Sequence, residues 1–510
     1  MRPYHLLLFL VIVGVLSLGL SAVWPQEGVK MTHEWTLKFP TIDQLFAEDT
    51  TSTVNVDSLL ASYEVDSAAI RDSLRKAEIA YRQKMLRIQY KDSSAGLFRF
   101  FDDLQNREKG AGKVDILHYG DSQIEGDRIT SIVRNLLQKR FGGTGAGYIA
   151  ASPLVSHFSI KNTRSANWQR HPIFGKKDST LIHNRFGMYG VFCRFTDFPA
   201  YDTIPADTVR RRISKNIDGQ EYSVDTSYIR PEVVQKTLPN DSLVKAWVEL
   251  KPSGMGYYRS GKFTKLRLMF SNPDAAFTLK VVLSDSTKTQ SVYQANSGAR
   301  EYIQSFPEAQ EAVRLEFSTK SSPDVYGIRL ENDYGIVMDN IAMRGSSGTF
   351  FGRNGYNEMA TQMRNISPDL IILQFGGNVV PHMENEERAA RYGRWFASQI
   401  RLLQRINPDA DFVLIGPSDM SMKEGTQYVT NPMVPVVRDV LKKAAFETGC
   451  GYWDLYEVMG GRNSMKAWVE ADPPLAAKDY VHFTQRGARK AGELFYDALM
   501  KDYEDWKQVQ

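Results

Sequence analysis

The chain has 510 residues, 42% of them hydrophobic and 24% charged, which is enough apolar material for two or three domains with separate cores. A formal net charge of +4 is small for this length, and no Lys/Arg run is interleaved with aromatics, so a dedicated nucleic-acid binder is excluded. Cys193 and Cys450 lie too far apart in sequence to suggest a disulfide framework, and the eight histidines show no metal-ligand spacing, so no metal or other cofactor is called for.

At the N-terminus, Arg2 precedes an uncharged apolar stretch from Leu6 to Trp24, about the length that spans a bilayer as a helix. Residues 1–24 are expected to be a signal-anchor, with a cleaved secretory signal as the alternative. Either sends the remaining chain across a membrane. Residues 25–94 follow as linker and spacer: no period is evident from Thr32 to Val56, then Ile70, Leu74, Ala77, Tyr81, Met85 and Ile88 recur at helical spacing among charged residues. A short helix over Leu97–Leu104 feeds a strand at Val114–Tyr119, and a helical pattern runs from Asp127 to Gln138. Ser122, in Gly120-Asp121-Ser122, falls on the turn between that strand and that helix, where a hydroxyl faces solvent and helix amides face whatever it attacks.

From about residue 150 to 335 helical periodicity gives way to short alternating runs: Ala246–Leu250, Leu266–Phe270, Phe277–Leu283, Val313–Phe317 and Val325–Leu330, separated by turn residues such as Ser271-Asn-Pro-Asp274. That is the pattern of an all-β sandwich. After 335 strands and helices alternate: strand Leu370–Phe375, helix Arg388–Leu403, strand Phe412–Ile415, helix Val434–Phe446, strand Tyr452–Leu455 and a last helix over Ala488–Met500. This predicts a parallel sheet covered on both faces, with ligands at the carboxyl ends of its strands. The expected division is therefore a first part of an α/β domain at 95–149, an inserted β domain at 150–335, and the second part at 336–510.

Far downstream of Ser122 stands Asp479-Tyr-Val-His482. A serine hydroxyl is a poor nucleophile at neutral pH and needs a base within hydrogen-bond reach, which His482 can supply. Asp479, three residues earlier, can hold the other ring nitrogen and stabilise the imidazolium. Ile124 occupies the place where a G-x-S-x-G elbow needs glycine, so an α/β-hydrolase is not indicated.

Four blocks, Gly120-Asp121-Ser122, Arg344-Gly-Ser-Ser-Gly348-Thr349, Phe375-Gly-Gly377-Asn378 and Asp479-Tyr-Val-His482, together resemble those of the SGNH (GDSL) hydrolases. The resemblance implies an α/β/α three-layer sandwich with a parallel sheet. It also implies a Ser122–His482–Asp479 triad, and an oxyanion hole from the Ser122 N–H, the Gly348 N–H (Gly345 as the alternative) and the Asn378 side chain. A β domain between the serine block and the glycine block is similar to the layout of bacterial O-acetylpeptidoglycan esterases, whose insert is jelly-roll-like and resembles a carbohydrate-binding module. That layout implies an esterase removing acetyl or other short acyl groups from a cell-envelope polysaccharide such as peptidoglycan. It would act in the periplasm or otherwise outside the cytoplasm. A polysaccharide O-acetyltransferase using the same triad, and a general GDSL lipase or esterase, are the alternatives, and a lid or dimerisation role is the alternative for the insert. Gln123 departs from the histidine expected after the nucleophile in many such esterases. Glu125 and Asp127 are expected to cap the following helix.

Overall fold

The computed structural model describes residues 3–25, 27–31, 36–37, 39, 75–76, 80–81, 83–175, 181, 183–196, 201–217, 220–235, 243–272, 274–284 and 288–510. It divides into two units, Met1–Ile79 and Ala80–Gln510. In the first, α1 (Pro3–Val23) is a 21-residue helix, followed by two-residue strands at Val29–Lys30 and Thr36–Leu37 paired antiparallel. The side chains of Leu6 to Val11 lie outside the described residues. Among those described, no helix is long and apolar enough to cross a membrane. Apart from Thr36–Leu37 and Phe39, the linker over 32–56, and most of the helical stripe from Ile70, fall outside the described residues. The end of the stripe is seen, with Met85 and Ile88 buried.

Parallel strands covered on both faces are built from apolar runs rather than alternation. Five such strands, β1 (Lys113–Gly120), β2 (Gly335–Ala342), β3 (Leu370–Gln374), β4 (Asp411–Ile415) and β5 (Gly451–Trp453), form one all-parallel sheet in the order β2-β1-β3-β4-β5. Successive side chains point to opposite faces. Val114, Ile116, Ile372 and Val413 pack with residues of α2 (Phe98–Glu108), α3 (Thr130–Phe141) and the last helix, Gln485–Val509. Leu117, Tyr119, Ile371 and Leu414 pack with α4 (Tyr356–Ile366), α5 (Glu386–Ile406) and α6 (Met433–Glu447). The result is a three-layer α/β/α sandwich.

Between α3 and β2 the chain builds two antiparallel sheets around their own core. One has five strands: Ile160–Arg164, Val244–Pro252, Phe277–Leu283, Lys288–Tyr293 and Val313–Thr319. The other includes Trp168–Pro172, Val191–Phe195, Phe263–Asn272, Asn296–Gln310 and Asp324–Glu331, with Gly147–Ile149 paired to the last. Their inward residues, among them Val248, Leu268, Leu279, Leu315 and Ile328, are essentially inaccessible. A long antiparallel ribbon, Tyr201–Ile217 with Gln220–Gln235, has no counterpart among the sequence-predicted strands.

The β layer is joined to the parallel sheet through a buried ion cluster. Arg329, fully buried on strand Asp324–Glu331, donates from Nε to both carboxylate oxygens of Asp339 on β2 (2.9 and 3.1 Å), from Nη1 to Glu331 (2.6 Å), and from Nη2 to Asp115 on β1. Lys113 and Arg267 complete the charge balance on Glu331 at 2.6 and 3.0 Å. Burial drives the Glu331 carboxyl upward, but Arg329, Lys113 and Arg267 outweigh it and bring it down to about 2. Arg329→Met would leave three buried carboxylates short of a partner, so a loss of roughly 3–5 kcal/mol is expected in chemical denaturation. A change within experimental error would show that the cluster is not what fixes the two layers.

Candidate active site

All four blocks arrive at one edge of the parallel sheet because each follows a strand or enters a helix there. Ser122 comes two residues after β1, the Arg344–Thr349 loop follows β2, and Asn378 follows β3 through Gly376, whose φ of 122° and close approach to Leu441 leave no room for a side chain. His482 precedes the last helix, capped by Thr484, whose hydroxyl accepts the Gly487 N–H at 3.2 Å.

Ser122 Oγ lies 2.9 Å from His482 Nε2, and His482 Nδ1 lies 2.8 Å from Asp479 Oδ2. The other Asp479 oxygen accepts the N–H groups of Val481 and His482, both at 3.0 Å. Burial raises the Asp479 carboxyl, but these backbone bonds and the His482 ring outweigh it and hold the group below its ordinary value. It therefore stays ionised beside the imidazole, as an orienting acid must. Tyr480, between them, adopts φ 59°, and its ring stacks on Tyr428 at 3.7 Å and 8°. Tyr428 belongs to the hairpin Ser421–Glu424/Gln427–Thr430, so that hairpin braces the loop carrying His482.

A cavity of about 440 Å³ opens above Ser122, and Asn378, Gly345 and His482 line it. The three expected oxyanion donors do not all face it. The Gly348 N–H is donated to Ser346 Oγ at 3.1 Å, and a Cβ on Gly348 would strike the rings of Phe375 and Phe396, so this glycine packs inward. The glycine on the cavity wall is Gly345, at φ 79°. Placing the donor at Gly348 is thus corrected to the alternative. Both glycines sit in one short loop, and their sequence neighbourhood does not reveal which one packs on the phenylalanines. Asn378 Nδ2 donates to Asp121 Oδ2 (2.8 Å) and, more weakly, to Ser346 O (3.2 Å), so releasing the longer bond would free one N–H toward a developing oxyanion.

Several residues acquire roles that spacing did not reveal. Gln123 Nε2 donates to the Val481 carbonyl at 2.7 Å and to Ser418 Oγ at 3.2 Å, tying the residue after Ser122 to the residue before His482. Arg128 Nη2 donates to the Ser122 carbonyl at 2.7 Å. Glu125 and Asp127 do not cap the following helix. Glu125 takes a bidentate bond from Arg344, while Asp127, at φ 68°, is buried against Arg134 and accepts from Ser159 Oγ at 2.6 Å. This is why α3 begins at Thr130 rather than at Asp127. Asp121 is fully buried. Burial lifts its carboxyl to about 6, against the lowering effect of the Gln123 N–H, the His482 charge and Asn378.

Residues 309–490 match the family model described as GDSL-like Lipase/Acylhydrolase, a segment that includes Gly345, Asn378, Asp479 and His482 and leaves Ser122 upstream of the insertion. No protein of curated function matches the sequence. Among solved structures, a peptidoglycan O-acetylesterase is similar at 20% identity and a TM-score of 0.59, over 82% of this chain and 99% of that one. An acetyl xylan esterase, AlAXEase, aligns at 18% identity over 32% of this chain and 81% of its own, with a TM-score of 0.24. A family two carbohydrate esterase from Cellvibrio japonicus aligns at 9% identity over 60% and 98%, with a TM-score of 0.23. The first of these carries the same fold.

Two outcomes follow from the geometry. Asp121 binds its proton more tightly in the fold than in the unfolded chain, so its contribution to stability is present below about pH 4 and is lost as pH rises through about 6. Asp121→Asn should flatten that part of the melting-temperature profile, and an unaltered profile would contradict the raised value. Gln123→Ala should lower kcat by roughly 10- to 100-fold with little change in KM, because the base loop loses its tie to the nucleophile turn. A KM effect alone would show that Gln123 serves binding instead.

Proposed function

We propose that this chain, whose residues 309–490 match a GDSL-like lipase/acylhydrolase family model, is a serine esterase of the SGNH type that removes O-acetyl groups from a cell-envelope polysaccharide such as peptidoglycan, outside the cytoplasm. The observation that carries the reading is the unbroken chain from Ser122 Oγ through His482 to Asp479, at 2.9 and 2.8 Å, opening into a cavity with amide donors on its wall.

In this mechanism His482 Nε2 takes the Ser122 proton as Oγ attacks the ester carbonyl, and the imidazolium is stabilised by Asp479. The oxyanion meets the N–H groups of Ser122 and Gly345 and the Asn378 side chain. His482 returns the proton to the departing sugar oxygen, leaving an acyl-enzyme. Water, deprotonated by His482, then attacks that ester, and acetate leaves as Ser122 recovers its proton. Met420 and Val481 are the aliphatic side chains lining the cavity, a small apolar surface suited to a short acyl group rather than a fatty chain.

Acetate release from O-acetylated peptidoglycan or xylan tests the proposal. Ser122→Ala should reduce it by roughly four orders of magnitude or more. Undiminished release in that variant would exclude Ser122 as nucleophile.

A further inference from the structure

Two depressions meet beside Ser122. The first is the catalytic cavity, and the second, of about 380 Å³, is walled by Val155–Phe158 at the start of the β insertion and by Met255. Glu125, Arg128 and Arg344 line both, so they form the saddle between them. The saddle is bonded internally: Arg344 holds Glu125 through Nε (2.9 Å) and Nη2 (2.6 Å), and the hydrogen bonds of Arg128 go to the backbone carbonyls of Ser122, Glu125 and Phe483.

The far wall is fixed to the same turn. The Phe158 N–H donates to the Gly126 carbonyl at 2.9 Å, and Ser159 Oγ donates to Asp127. Gly126 has φ 68°, and a Cβ there would come within 3.1 Å of the Ser156 carbonyl, so the insert segment lies directly on the chain that follows the nucleophile. A ligand held against this wall is therefore registered against Ser122.

We propose that the second depression is a saccharide subsite, which takes the sugar residue adjoining the acylated one, so that the enzyme recognises a polysaccharide chain rather than an isolated acyl ester. The inference rests on the polysaccharide-esterase reading and specifies where that substrate lies. Guanidinium forks and a carboxylate offer several donors and acceptors in fixed directions, which suits neighbouring hydroxyls. Met255, 66% exposed, presents a flexible apolar surface for the carbon face of a ring. Pockets that orient ligands combine such an apolar wall with a few placed polar groups. A small ester needs only the first cavity, whereas the shared saddle makes the second continuous with it.

The test compares the full-length chain with Met255→Ala and Ser156→Trp, both at exposed positions on the far wall and outside the catalytic cavity. The probes are 4-nitrophenyl acetate and O-acetylated oligosaccharides of increasing length cut from peptidoglycan or xylan. The ratio of kcat/KM for the longer oligosaccharides to that for 4-nitrophenyl acetate should fall roughly tenfold or more in each variant, with the gain from added sugar units lost. An unchanged ratio in both variants, with the wild-type dependence on chain length retained, would overturn the subsite alone. Wild-type enzyme that cleaves 4-nitrophenyl acetate but releases nothing from any acetylated polysaccharide would overturn the parent reading, and the subsite with it.

Discussion

Arg329 holds the two halves of this molecule in one register. It stands on the last strand of the β insertion and satisfies carboxylates on β1, on β2 and on its own strand, with no solvent access. A hydrophobic seam would tolerate small slips, since burial of apolar area has no direction. Buried charges do not, because any displacement leaves an ion without its counter-ion in a medium that solvates it poorly. Burial holds the Asp339 carboxyl above its ordinary value even though Arg329 draws it down. The insertion is thereby fixed to the strand pair from which Ser122 emerges.

The position of the insert in the chain makes that attachment consequential. It leaves the catalytic domain after α3 and re-enters at the start of β2, an edge strand of the sheet and far from the catalytic rim. To reach the rim it runs along that edge. Gly147 lies against the Met338 carbonyl, Tyr148 donates its N–H to Asp339, and Ile149, Ala150, Pro153, Leu154, Val155 and His157 share a small cavity with Asn340, Ile341 and Ala342 before Phe158 bonds to Gly126. One path thus covers an edge that would otherwise expose unpaired backbone groups and brings the insert beside the nucleophile turn.

Four strands of the parallel sheet were readable as short, mainly apolar runs beside amphipathic helices, whereas β2, whose run is broken by Asp339 and Asn340, was not among the expected strands. The β insert was readable from alternation in strands such as Val244–Pro252 and Phe277–Leu283. The pairing of Ser122 with His482 and Asp479 was readable from residue chemistry and order. What escaped was set by contacts between distant segments. Gln123 looked like a departure from an expected histidine, and only its bond to Val481 shows it tying the nucleophile to the base loop. Gly345 and Gly348 could not be separated until Phe375 and Phe396 were seen to occupy the space behind one of them. Asp127 fitted a helix cap until its buried partner Arg134 and its left-handed backbone placed it before the helix. The ribbon at 201–235 went unseen because nothing in its spacing distinguished it from the shorter strands around it.

The choice between water and a sugar hydroxyl as acyl acceptor turns on how the base meets solvent. Transfer to a sugar in competition with water at 55 M-scale concentration requires a site that excludes water during the life of the acyl-enzyme. Here the side chains of His482 and Asp479 are 34% and 49% exposed, on the open side of the cavity, and the hairpin stacked on Tyr480 braces their loop. That loop is held from below by Gln123 and from the side by Tyr428, so the base is rigid where it meets Ser122 and wet where a second nucleophile must approach. Under the proposed esterase reading, such an arrangement favours hydrolysis over transfer to a sugar.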